Sequence, residues 1–176
     1  DYARADMKNA EAYNAALQGS KLVTIGYGPT PGTGMGSDWV LFRFNLDGTQ
    51  DKSFGMNGVA YADPGGYADN GRSLVVLPDN RIIGVGGGRQ RPAVPLPMGQ
   101  VPQTDAMLAV FGPDGQLDES FAPGGFRLYN FGGQADFFHG AALAPSNKEV
   151  AVVGVAGGEG EGVDDNAVLI LLTLGN

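Results

Sequence analysis

The densest concentration of chemically competent side chains is the stretch GGEGEGVDD, which sets Glu159, Glu161, Asp164 and Asp165 within seven residues. Carboxylates separated by glycine can fold around a hard cation, because calcium takes six to eight oxygen ligands in flexible geometry. These four residues are the metal-ligand candidates of the chain, with calcium the implied ion, and a solvated acidic loop tip is the alternative. Asp47, Asp51, Asp114 and Asp118 offer further carboxylates in the segments LDGTQDKSFGMNGV and PDGQLDESFAPGGF. Their Asp-Gly pairs read more simply as turns, in which the second aspartate caps a backbone amide. Ser53 and Ser120 would need a base to act as nucleophiles, and the chain has a single histidine, His139. One histidine and no cysteine leave neither a Ser-His arrangement at readable spacing nor a transition-metal ligand set. The glycine runs IGYGPTPGTGMG and GVGGG lack the lysine and hydroxyl that end a phosphate-binding loop.

A second candidate surface is the loop QRPAVPLPMGQVP. Its spaced prolines favour an extended conformation that lowers the entropy cost of docking. Val94, Leu96, Met98 and Val101 are its candidate contacts for a protein partner.

The elements that hold these loops follow from an internal repeat. The segments starting at Leu46 and Pro113 share Asp47/Asp114, Gly48/Gly115, Asp51/Asp118, Ser53/Ser120, Phe54/Phe121 and Gly58/Gly125, at a constant offset of 67 residues. Periodicity on this scale marks a repeat architecture. Between the shared segments lie pairs of apolar runs joined by short turns at Gln18-Gly19-Ser20, Pro78-Asp79-Asn80 and Pro145-Ser146-Asn147, a hairpin pattern. A third run follows in each copy: DWVLFRFN, DAMLAVFG and NAVLILLT. Apolarity at nearly every position predicts burial on both faces. A short fourth strand is expected over 59–61 and 126–131, with a counterpart at 1–3. The expected fold is all-β, one repeat domain over 1–176 with approximate repeats at 1–45, 46–112 and 113–176, each a four-stranded antiparallel unit. A threefold β-trefoil or prism-like arrangement is the alternative.

The Asp-Gly…Asp-x-Ser-Phe segment, preceded by DWVLFRFN and followed by a hairpin with Pro-Asp-Asn ahead of a basic residue, resembles the delta-60 repeat. The likeness is strongest over 38–59, 74–86 and 105–126. It departs at the first and third hairpin turns, and the third copy stops before its Asp-Gly segment. The resemblance implies blades of a β-propeller type in exported bacterial proteins, and it supplies no catalytic residues.

Composition narrows the function classes. A net charge of −8 disfavours nucleic acid or an anionic membrane surface as partner. No apolar run reaches the length needed to span a bilayer. The chain starts at Asp1 without a methionine, which fits removal of a secretory leader and a periplasmic, cell-surface or extracellular location. The expected function is a non-catalytic interaction or scaffold unit, acting through a protein partner or self-association. A calcium-dependent propeller lyase or hydrolase and a lectin-like sugar binder are the competing readings.

Overall fold

A computed structural model of the chain describes residues 9–29, 36–65, 67–90, 92–132, 135–157 and 165–174. It is all-β, built from three antiparallel sheets. The first sheet has the order β1 (Glu11–Gln18), β2 (Lys21–Gly28), β3 (Asp38–Asn45), β4 (Val59–Ala62). The second repeats it with β5 (Asn70–Val76), β6 (Ile82–Gly88), β7 (Asp105–Phe111), β8 (Phe126–Tyr129). The third contains β9 (Phe137–Leu143), β10 (Glu149–Ala156) and β11 (Asn166–Thr173). Four-stranded units are thus found twice, and the third unit has three strands among the described residues. The strand expected at 1–3 lies outside them.

Each sheet is a meander in which consecutive strands pair antiparallel, a short turn joining the first two strands and longer loops the rest. The Asp-Gly turns form as their composition requires. Gly48 and Gly115 both sit at φ 87, a conformation open to glycine and strained for residues with a Cβ. The carboxylate of Asp47 accepts from the backbone N–H of Thr49 at 2.9 Å, and that of Asp114 from Gln116 N–H at 3.0 Å. Asp51 and Asp118 do the same for Ser53 and Ser120, whose hydroxyls donate to the same carboxylates. The two serines are therefore turn residues.

The sheets pack face on face. Between the first and second lie Val23, Ile25, Trp39, Leu41 and Phe54, against Leu74, Ile82, Met107, Ala109 and Phe111. Between the second and third lie Ile83, Val85, Ala106, Leu108 and Val110, against Phe138, Val150 and Val152 with Val168, Ile170 and Leu172. The middle strand β7 gives its odd-numbered side chains to one layer and its even-numbered ones to the other, as strand alternation dictates. Val40, Phe42, Phe44 and Val59 form a third cluster, on the other face of the first sheet, with Ala10, Leu22 and Tyr61.

Burial on both faces holds for β3 and β7. It does not hold for β11, where exposure alternates along the strand. The difference lies in what covers the strand, since β7 has a sheet on each side and β11 has one.

The first strands β1, β5 and β9 lie side by side where the three sheets converge. Each carries a bulge at the same place. The pairing skips Tyr13 between Ala12 and Asn14, Arg72 between Gly71 and Ser73, and His139 between Phe138 and Gly140. A glycine stands opposite each bulge: Gly26, Gly86 and Gly154. A Cβ there would overlap the carbonyl oxygen of Glu11, Asn70 or Phe137, so the bulged strand can only come this close to glycine.

Candidate functional site

The first candidate surface is the outer face of the third sheet. Val153 pairs with Leu169 and Ala151 with Leu171. Leu169 is 69% exposed, Leu171 66% and Val153 47%. These pairs repeat Val85–Leu108 and Ile83–Val110 of the second sheet, and there the same positions are buried under the third sheet. The outer face therefore has the chemistry of a sheet–sheet interface and lies open.

The joint between the first and second sheets is polar as well as apolar. Arg43 of β3 donates through Nε to Asp51 at 2.8 Å, and through Nη1 to Gln18 Oε1 at 2.8 Å and the Pro113 carbonyl at 2.7 Å. Its guanidinium lies 4.5 Å over the Phe54 ring. Gln18 Nε2 donates to the carbonyls of Asn80 at 2.7 Å and Pro113 at 3.2 Å. Lys21 also pairs with Asp51, and Arg81 stands in the matching relation to Asp118 at 3.5 Å. The basic residue after each of the first two hairpin turns thus neutralises the second aspartate of the following Asp-Gly segment.

Burial works against the ionised form of Asp51. The hydrogen bonds from Lys21, Ser53 and Arg43 overcome it and hold the carboxyl well below the usual carboxylate range. In the unfolded chain an aspartate titrates near about 3.9. The stability that Asp51 contributes is therefore present above that pH and is lost as pH falls toward the folded value. Urea midpoints followed from pH 7 down to about 3 are expected to fall more steeply for the wild type than for Asp51→Asn. Parallel profiles would show that this carboxylate is not linked to folding.

Where the first strands converge, a cleft of about 340 Å³ is lined by Tyr13, Tyr27, Asp69, Asn70, Arg89 and Phe137, among others. Of the three bulged residues, Tyr13 lines this cleft, and the other two are linked to it through side-chain contacts. The Arg72 guanidinium lies 4.3 Å over Tyr13 and 5.5 Å from Phe137, and Phe137 stacks on His139 at 5.3 Å. His139 is thus an exposed member of an aromatic-guanidinium row.

On the Asp69 side, three carboxylates converge. Asp38 opens β3, Asp63 follows β4 and Asp69 precedes β5. One oxygen from each lies within 4.8 Å of those of the others. Asp38 and Asp63 are brought together by the pairing of Trp39 with Ala62. Asp69 is brought in by a backbone hydrogen bond from its N–H to the Ser37 carbonyl at 2.6 Å. Burial, and then the charges of Asp38 and Asp63, push the Asp69 carboxyl up to about 8, against the hydrogen bond it accepts from Arg89 N–H.

Of the metal candidates read from the sequence, Glu159, Glu161 and Asp164 lie outside the described residues, and Asp165 is exposed. The clustered carboxylates are instead Asp38, Asp63 and Asp69, which no local spacing announced. Val94, Leu96, Met98 and Val101 of the proline-rich loop are all exposed. Arg89 ties the end of that loop to the sheet by donating to the Pro102 carbonyl at 3.2 Å.

Comparison with protein-family models and with curated proteins finds no match to this chain. No helix is long and apolar enough to cross a membrane, among the described residues.

Proposed function

We propose that the chain is a non-catalytic interaction unit of β-propeller type, exported, whose principal docking surface is the outer face of the third sheet. One observation carries the reading. Val153, Leu169 and Leu171 occupy the positions that Val85, Leu108 and Val110 occupy in the second sheet, where a neighbouring sheet covers them. A contiguous apolar surface of this kind marks an association site. It presents no charged side chain at its centre, so its complement is another apolar sheet face, a further unit of the same repeat. In a solution of this chain alone that unit is the third sheet of a second copy. The blade-like reading rests on the meander order, the face-to-face packing and the convergence of the first strands. The exposed Val94, Leu96, Met98 and Val101 form a separate surface for a protein partner.

Sedimentation equilibrium is expected to give a particle of twice the 18.2 kDa chain, with Leu169→Lys/Leu171→Lys weakening the association at least about tenfold. Both side chains are exposed, so the variant keeps its fold, checked by circular dichroism. A wild type that stays monomeric at about 0.5 mM, or a double variant that associates equally well, would overturn the reading.

A further inference from the structure

We infer that Asp38, Asp63 and Asp69 form a binding site for a single hard divalent cation, calcium by preference, at the link between the first and second sheets. The site is independent of the docking surface proposed above. Its geometry is the first argument. Calcium accepts carboxylate oxygens in flexible geometry, whereas magnesium demands near-ideal octahedral geometry and dehydrates reluctantly. The three carboxylates each bring an oxygen within 4.8 Å of those of the others, close enough for one ion to be shared among them.

The second argument is independent of the clustering. Asp69 is 3% exposed. Its Oδ1 accepts from Arg89 N–H at 2.7 Å, while its Oδ2 is fully buried with no hydrogen-bond partner. Buried carboxylate oxygens are ordinarily satisfied, and one that is not needs a partner. The nearby guanidinium of Arg89 is engaged elsewhere, with Nε donating to the Pro102 carbonyl and Nη1 to that of Ala68. A divalent cation would answer Asp69 Oδ2 and the crowding of three acids together. Asp63 is only part-buried, which leaves an entry path and room for waters to complete the shell. All-oxygen ligation favours a hard ion over zinc or copper.

The ion would hold three segments at once: the start of β3, the end of β4 and the approach to β5. That is the end of β3 opposite Arg43.

The test uses the whole chain and calcium itself. After chelator treatment, isothermal titration is expected to show one saturable site, with magnesium weaker. Calcium at about a hundred times its dissociation constant should raise the melting temperature by roughly 5–10 °C. Asp69→Asn keeps an acceptor for Arg89 N–H and is expected to fold, to weaken calcium binding at least tenfold and to lose the thermal shift. No saturable binding at millimolar calcium would overturn the site. Binding undiminished in Asp69→Asn would also overturn it and assign the ion to the acidic stretch 159–165.

Discussion

Replacing Arg43 with alanine is expected to destabilise the fold by about 3–5 kcal/mol, the usual cost of breaking a buried charge pair by removing one member. The side chain is nearly buried and answers acceptors on three segments: Asp51 with Ser53, Gln18, and the Pro113 carbonyl. Removing it leaves Asp51 with Lys21, which is a third exposed, and takes from the Pro113 carbonyl its shorter hydrogen bond. It also strips the guanidinium from the face of Phe54. Arg43→Lys should recover only part of the loss, because an ammonium cannot serve diverging acceptors with a planar fork. Lys21→Ala should cost much less. Urea denaturation measures all three, and a loss below about 1 kcal/mol for Arg43→Ala would show that the clamp adds little to the joint.

Truncating Trp39 is expected to cost a similar amount, about 3–5 kcal/mol for a large aromatic in a closed core. The indole is fully buried. It lies over a glycine track of the second sheet, so that a Cβ on Gly84 would fall 3.1 Å from its ring and one on Gly86 2.9 Å. Its Nε1–H donates to the Gly87 carbonyl at 2.9 Å. Trp39→Ala therefore leaves a cavity that glycines cannot fill and a carbonyl without that donor. Trp39→Phe should lose less, retaining part of the ring and none of the hydrogen bond. If the alanine variant unfolds at the wild-type urea midpoint, the indole is not what joins the two sheets.

The parts of the fold legible in the sequence are those encoded over short distances. Asp47-Gly48 and Asp114-Gly115 specify turns by their own chemistry, and the second aspartates, Asp51 and Asp118, accept the predicted amide hydrogens of Ser53 and Ser120. Apolar runs punctuated by Pro78-Asp79-Asn80 and by Pro145-Ser146-Asn147 give hairpins. What covers a strand is not written in it. NAVLILLT reads as apolar as DAMLAVFG, yet Leu169 is open and Leu108 closed, because only the second has a sheet on that side. The acidic cluster was hidden for a related reason. Asp63 lies 25 residues beyond Asp38, and the two meet through the register of β3 with β4. Each of the three flanks a strand end, a signal that becomes usable only once that register is known. The local density of acids at 159–165 drew attention to a different segment.

The three bulges have a consequence for how such a chain can vary. A residue skipped by the ladder has no cross-strand mate, so its side chain can be exchanged without disturbing the register that holds its sheet. Tyr13, Arg72 and His139 occupy equivalent positions and carry a phenol, a guanidinium and an imidazole, while the glycines facing them do not vary. Duplication of the unit thus copies a rigid frame together with one open position per copy, each on one of the converging first strands. Side-chain chemistry at that convergence can be rewritten one residue at a time, like letters set in a fixed line of type.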